Sequence, residues 1–106
     1  MCKFIVEYKD NKYVMSFIDD YLPIETPKCD SLDESMYEMT EIFKDRSRSS
    51  DKGTIESMRE LNDRYSNGRI PVELIGINLM NSDSIRELIS NKFGIISKEY
   101  MEFINN

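Results

Sequence analysis

This 106-residue chain contains no histidine, tryptophan, alanine or glutamine. The absence of histidine removes the commonest general base, a frequent metal ligand and the side chain that most often titrates near neutral pH. Isoleucine, asparagine, lysine and tyrosine are plentiful, and their codons are rich in A and T, whereas alanine codons are rich in G and C. The composition therefore indicates an AT-rich coding sequence and excludes histidine-dependent catalysis.

Cysteine and long apolar runs are also scarce. The two cysteines, Cys2 and Cys29, form neither a C-x-x-C motif nor a dense disulfide framework. A structural zinc site needs more thiolate or imidazole ligands than two thiols supply. No run approaches the roughly 18 apolar residues of a membrane span, and Glu7 comes too early for a secretory signal peptide. We therefore expect a cytoplasmic protein, and the sequence leaves open whether the two thiols are reduced.

The remaining composition is that of an ordinary globular domain. Apolar residues make up 40% of the chain and charged residues 32%. A chain of this length has enough residues for one hydrophobic core but not for two. The sequence therefore predicts a single compact domain over residues 1–106, and the segments described below place it in the α+β class.

The N-terminal segment has the pattern of a β-hairpin. Residues 2–8 and 12–19 are rich in aromatic and β-branched side chains, and Asp10 and Asn11 between them tolerate the left-handed conformations of a tight turn. The following residues, 21–28, contain two prolines and are predicted to form an extended connection.

Two helices are predicted next. Ser31 and Glu34 have the S-x-x-E spacing of a helix start, and this helix is expected to span residues 31–45. A second helix is expected over residues 54–66, with a stop at Asn67-Gly68. Residues 46–53 between them contain no apolar side chain and are predicted to be an exposed flexible loop.

The C-terminal third is predicted to add one strand and two helices. Residues 72–80 form the most apolar run and favour a buried strand, with a buried helix as the alternative; Gly76 indicates a close approach of another backbone. Residues 81–84 offer several N-caps for a helix that is expected to end at Phe93 and to be closed by Gly94, and a last short helix is expected after Ser97. The predicted order is β-β-α-α-β-α-α, a three-stranded sheet with about four helices on one face.

Negative charge is concentrated in one quarter of the chain. Residues 19–43 contain eight acidic side chains and one lysine, a net charge of −7, while the whole chain carries −6. An acidic face repels nucleic acid and attracts basic protein surfaces, although a solvated helix face produces the same pattern. The predicted partner-binding residues lie on or beside the first helix: Glu34, Glu38, Glu41, Asp30, Asp33 and Asp45.

No catalytic or metal-binding set is recognisable. The four glycines are isolated from one another, so no phosphate-binding loop exists. Glu7 and Lys9 have the E-x-K spacing of some metal-dependent nucleases, but no acidic residue precedes them. Asp19 and Asp20 are the best pair of carboxylates for a divalent cation. Adjacent residues on a strand point to opposite faces, however, so the two are not expected to bind one ion together. The sequence therefore predicts no enzyme, no metal and no cofactor.

Small size, AT-rich coding and one acidic face are together typical of accessory proteins of phages, viruses and mobile elements. The sequence predicts a non-enzymatic protein that inhibits or redirects a nucleic-acid-handling host protein through its acidic helix face. Direct nucleic-acid binding is disfavoured, because acidic neighbours dilute the basic residues Arg46, Arg48 and Lys52. Two alternatives remain: an oligomeric adaptor or structural subunit that uses an apolar surface at the hairpin edge or at residues 70–80, and a binder of a nucleotide or metal ion.

Overall fold

The computed structural model describes residues 2–19, 24–48, 52–77 and 82–104. These residues form four strands and three helices in the order β-β-β-α-α-β-α, an α+β domain with one more strand and one fewer helix than the sequence predicts. The elements are β1 (Lys3–Lys9), β2 (Lys12–Ile18), β3 (Ile24–Glu25), α1 (Leu32–Arg48), α2 (Lys52–Asn67), β4 (Val72–Ile75) and α3 (Ser82–Ile104). None of the helices in this described part combines the length and the apolar character that a membrane crossing requires.

The N-terminal hairpin is confirmed. β1 and β2 are antiparallel, and their last pair, Lys9 and Lys12, leaves a two-residue turn. Asp10 and Asn11 in this turn have φ angles of 54° and 62°. Both lie in the left-handed region, which the tightest hairpin turns require and which these two residue types tolerate.

The sheet extends beyond the hairpin on both sides, with the strand order β3-β2-β1-β4. β4 pairs in parallel with β1, with Phe4 opposite Val72, after α1 and α2 cross over the sheet. β3 pairs with β2, so part of the predicted extended connection is a short strand, with Ile24 opposite Phe17. Residues 21–23 of that connection lie outside the described residues.

Side chains of one face of the sheet and of all three helices form a single core. Four phenylalanines, one each from β1, β2, α1 and α3, lie at its centre, with neighbouring ring centroids 4.6–5.8 Å apart. They are Phe4, Phe17, Phe43 and Phe93, each at most 1% exposed. Alternate residues of β1, such as Ile5 and Glu7, lie on the other face of the sheet and are only partly buried.

The predicted start of α1 is confirmed. The Ser31 hydroxyl accepts a hydrogen bond from the backbone N–H of Glu34 (3.1 Å). The Glu34 carboxylate in turn accepts one from the backbone N–H of Asp30 (3.2 Å). The first contact satisfies a backbone donor that the helix start leaves free, and the second satisfies the backbone donor of the residue just before the cap.

The loop predicted at residues 46–53 is wrong at both ends. α1 continues to Arg48 and α2 already begins at Lys52, so only residues 49–51, which lie outside the described residues, separate the two helices. The prediction failed because charged and serine residues without an apolar periodicity resemble a loop. Such residues also occur on the last, solvent-facing turn of a helix.

The predicted helix boundary at Gly94 is wrong as well, because α3 runs without interruption from Ser82 to Ile104. Gly94 is buried, and a Cβ atom at this position would overlap the ring of Tyr65 on α2. The glycine therefore allows α2 and α3 to approach closely and does not end a helix.

The predicted third strand is confirmed in part. It is β4, which ends at Ile75, so a strand and not a buried helix forms here; residues 78–80 lie outside the described residues. Gly76 has a φ of 73°, and a Cβ atom there would overlap the backbone carbonyl oxygen of Tyr8. The predicted close approach of another backbone is thus confirmed.

Candidate protein-binding face

The outer side of α1 carries the predicted acidic residues. Met36, Met39 and Phe43 on its inner side are at most 3% exposed, so the predicted division of this helix into two sides is confirmed. The outer side contains carboxylates at steps of four, three and four residues, a spacing that aligns them along the helix. We call this set the acidic row: Glu34, Glu38, Glu41 and Asp45.

The acidic row differs in accessibility and partners along its length. Glu34 is exposed but takes part in the helix cap, and Glu38 and Glu41 are half-buried. Towards the C-terminal end, Glu41 lies 3.7 Å from Lys44, and Asp45 lies 3.6 Å from Arg48. Such exposed pairs are weak and are screened by salt, but the two cations reduce the negative potential at this end of α1.

The two remaining predicted residues lie at the beginning of the same face. Asp30, just before the helix, pairs with Lys12 of β2. Asp33 is exposed in the first turn of α1. Negative charge therefore extends from the N-terminal end of α1 along about two thirds of its outer side.

Tyr37, which the sequence did not single out, lies among these carboxylates. Its side chain is 60% exposed, although tyrosine is a large and partly apolar residue. Asp33, Glu34 and Glu41 are three or four residues away and are its neighbours on the helix surface. The signal was present in the sequence, because Tyr37 falls outside the apolar stripe of the helix.

A polar cavity of about 260 Å³ lies near the hairpin turn and contains the E-x-K pair. Glu7 and Lys9 line it together with Glu25 of β3, an acidic neighbour that only the fold could supply. Lysine side chains line the cavity as well. Among the described residues, no group of three or more cysteines and carboxylates is placed to hold a metal ion. Asp19 is buried, and Asp20 lies outside the described residues. The geometry thus adds no support for a nuclease centre.

A larger cavity of about 510 Å³ lies where the C-terminal ends of α1 and α3 meet α2. Its walls are mostly apolar, with two cations and one carboxylate among them. The lining residues are Phe43, Lys44, Arg48, Met58, Ile96, Glu99, Tyr100 and Phe103. Binding of a small ligand stays an untested prediction, and this cavity is where such a ligand has room.

Both thiols are free and buried, so neither is placed to act as a nucleophile. Burial, together with the nearby carboxylate of Glu60, raises the pKa of Cys2 to about 12. At neutral pH this thiol is therefore protonated, and only the thiolate form attacks electrophiles or binds metals. Cys29 is only 1% exposed.

Glu60 provides a pH-dependent contact between α2 and the start of the sheet. Burial by itself would raise the pKa of Glu60, but this effect is outweighed by two donors: the backbone N–H of Cys2 (3.0 Å) and the Arg64 side chain (3.4 Å). The net pKa lies below its ordinary value. A lowered pKa in the folded state means that the contact stabilises the protein above the ordinary glutamate pKa of about 4.3 and is lost as the pH falls below it.

We therefore expect Glu60→Gln to reduce the acid sensitivity of folding. The free energy of unfolding of the parent protein should fall more steeply between about pH 5 and pH 3 than that of the variant. Urea unfolding at several pH values measures both curves, and Glu56→Gln on the same helix is the control. Parallel curves for the parent and Glu60→Gln would show that this carboxylate does not contribute to the acid response.

The surfaces of the oligomeric alternative are less open than the sequence suggested. Ile70 and Val72 are buried, and residues 78–80 lie outside the described residues. At the outer edge of β4, the Arg86 side chain donates a hydrogen bond to the Val72 carbonyl (3.1 Å), which protects a strand edge against pairing with another chain. β3 covers part of the hairpin edge. This version of self-association stays an untested prediction.

Comparison with known proteins gives no relative from which a function could be transferred. No family model matches the chain, and no curated protein and no solved structure is significantly similar to it. The surfaces of the chain itself are therefore the basis for assigning it a function.

Proposed function

We propose that this chain is a non-enzymatic binding protein that docks through the outer side of α1 onto a basic surface of a nucleic-acid-handling protein and inhibits or redirects it. The observation that carries the proposal is the 60% exposed side chain of Tyr37 among the carboxylates of α1. Tyrosine is enriched among the few residues that dominate binding energy at protein interfaces. Solvation of a surface helix accounts for its carboxylates. It does not account for an exposed aromatic side chain among them.

The charge pattern suggests the kind of partner. Carboxylates three or four residues apart on a helix lie about 5–6 Å from one another, a spacing comparable to that of successive phosphates on a nucleic-acid strand. A protein cleft that binds phosphates with lysine and arginine presents the complementary charge. Complementary charge of this kind accelerates association and favours specific partners over others.

The contacts of the individual residues indicate which of them lie at the centre of the binding face and which at its margin. Tyr37 can bury its ring and still hydrogen-bond through its hydroxyl group. Glu34 and Glu41 are neighbours of Tyr37 on the helix surface and Glu38 lies between them in the acidic row, whereas Asp45 is paired with Arg48 at the end of the helix. We therefore place the centre of the binding face at Glu34, Tyr37, Glu38 and Glu41, with Asp30, Asp33 and Asp45 at its margin.

Charge reversal at this centre tests the proposal. The parent protein and Glu34/Glu38/Glu41→Lys are used as tagged baits in extracts of the cells that express the gene, and captured proteins are identified by mass spectrometry. We expect the parent to retain a nucleic-acid-handling protein that the variant loses. With that partner purified, reversal should weaken affinity by at least about 100-fold and Tyr37→Ala by about 30-fold, as for an interface anchor. The association rate should fall steeply as salt is added.

Two controls separate binding from folding and from net charge. Glu25/Glu73/Glu87→Lys makes the same change in net charge away from α1, where all three side chains are exposed, and should retain most of the affinity. Glu38/Glu41→Lys leaves the helix cap at Glu34 intact, so its loss of binding cannot be due to unfolding of the first turn. Equal effects of the two triple variants, or capture of no such partner by the parent, would refute the proposal.

A further inference from the structure

The outer side of α3 exposes three large apolar side chains. Leu88, Ile95 and Phe103 are 48%, 51% and 76% exposed. They follow one another at steps of seven and eight residues, which places them on the same side of the helix. The opposite side of α3 is in the core, where Ile89 and Phe93 are fully buried. The helix is thus apolar on two sides, and within the described part of the chain only one of them is covered.

Two residues of opposite charge alternate with these apolar side chains. Lys92 lies between Leu88 and Ile95, and Glu99 lies between Ile95 and Phe103, both exposed. We call the five residues together the α3 stripe. It covers about 22 Å of helix at 1.5 Å per residue, with its positive charge in the N-terminal half and its negative charge in the C-terminal half.

We propose that the α3 stripe is a self-association surface on which a second copy of this chain packs in antiparallel orientation. Lys92 and Glu99 are equally far from the midpoint between Ile95 and Ile96. A two-fold axis at this midpoint therefore brings Lys92 of each copy level with Glu99 of the other, so that two ion pairs form. The same axis brings Leu88 of each copy level with Phe103 of the other.

Symmetry and charge together favour this occupant. A two-fold interface uses the same patch on both copies, so the patch must be complementary to itself. The α3 stripe meets this condition in the antiparallel orientation, whereas a parallel pair would bring Lys92 against Lys92 and Glu99 against Glu99. Glu99 and Phe103 also line the 510 Å³ cavity, so the apolar surface continues beyond the stripe at the position that meets Leu88 of the other copy.

The expected dimer is weak. A contact along about 22 Å of helix falls at or below the low end of specific interfaces, which bury at least about 1,200 Å² in total. We therefore expect a dissociation constant in the range of about 1 to 100 μM. The proposal does not depend on the function of α1, whose acidic row belongs to a different helix.

Charge exchange tests both the surface and its orientation. Sedimentation equilibrium is measured for the parent, Lys92→Glu, Glu99→Lys and the double variant that carries both changes. Each single change creates two repulsive contacts, so each should weaken dimerisation by at least about 10-fold. The double variant restores both ion pairs with reversed polarity and should return to within about 3-fold of the parent.

An equimolar mixture of the two single variants gives a second readout. One variant then carries only acidic and the other only basic side chains at positions 92 and 99, so both contacts are complementary in the mixed dimer alone. We expect the mixture to dimerise more tightly than either variant by itself. Ile95→Ser, at the centre of the stripe, should abolish dimerisation without loss of helix content by circular dichroism.

Three results would overturn the proposal. The first is a parent protein that remains monomeric up to about 1 mM, well above the range expected for an interface of this size. The second is a dimer that neither single reversal weakens, and the third is a double variant as weak as the single ones. Glu38/Glu41→Lys on α1 serves as an independent variant, because it should leave the dimer unchanged even if it abolishes partner binding.

Discussion

Phe93→Ala is expected to lower the free energy of unfolding by about 3–5 kcal/mol, the usual cost of removing a buried phenylalanine ring. Phe93 is fully buried, and its ring centroid lies 4.6 Å from that of Phe4 and 5.8 Å from that of Phe43. The ring therefore packs α3 against both β1 and α1. Because small domains are stable by only about 5–15 kcal/mol, this single change should bring the protein close to unfolding at 37 °C. Urea unfolding followed by circular dichroism measures the loss.

Phe103→Ala is the matched control, since it makes the same substitution on the same helix at a side chain that is 76% exposed. At protein concentrations below the expected dimer dissociation constant, it should cost less than about 1 kcal/mol, as exposed positions usually do. Similar losses for Phe93→Ala and Phe103→Ala would mean that α3 does not present Phe93 to the core. The burial pattern of the helix would then have to be reassigned.

Gly76→Ala is expected to lower the free energy of unfolding by about 2–4 kcal/mol, through two effects that act together. Its φ of 73° is in the left-handed region that an alanine adopts only at a cost. The added Cβ atom would also overlap the carbonyl oxygen of Tyr8, which belongs to the backbone of β1 and cannot rotate away. The strain should therefore disturb the parallel pairing of β1 with β4. Urea unfolding measures the cost.

Gly68→Ala separates the two effects. Gly68 also has a positive φ, 153°, but a Cβ atom there would meet no heavy atom within 4 Å apart from those of its own residue and its two chain neighbours. We expect it to cost no more than the backbone strain, about 1–2 kcal/mol, and less than Gly76→Ala. If the two variants lose equal stability, overlap with Tyr8 contributes nothing and β4 does not approach β1 as closely as described.

The features that the sequence predicted correctly depend on neighbouring residues. The hairpin turn needs two residues that tolerate a positive φ, and Asp10 and Asn11 are such residues. The start of α1 needs a hydroxyl group and a carboxylate three residues apart, which Ser31 and Glu34 supply. The predicted acidic side of α1 follows from the same local periodicity. The physical cause of each of these features lies within a few neighbouring residues. Each can therefore be predicted without knowledge of the fold.

The errors arose where a local signal had a distant cause. Gly94 resembles a helix stop, but its role is to make room for Tyr65, which is 29 positions away in the chain. β3 is only two residues long and has no pattern of its own; it is a strand because β2 lies beside it. Glu25 joins Glu7 and Lys9 in one cavity for the same reason. None of these contacts leaves a signature in the neighbouring sequence.

By itself, then, the sequence determined the hairpin, the start of α1, the acidic side of that helix and the absence of any histidine chemistry, because composition and short-range spacing suffice for each. Only the tertiary structure decided which surfaces remain open. α3 has apolar residues on two sides, and the position of the sheet determines that Phe93 is buried while Leu88 and Ile95 face outward. The exposure of Tyr37 among carboxylates was decided in the same way. Burial depends on what packs against a residue, and the packing partners in this fold come from distant parts of the chain.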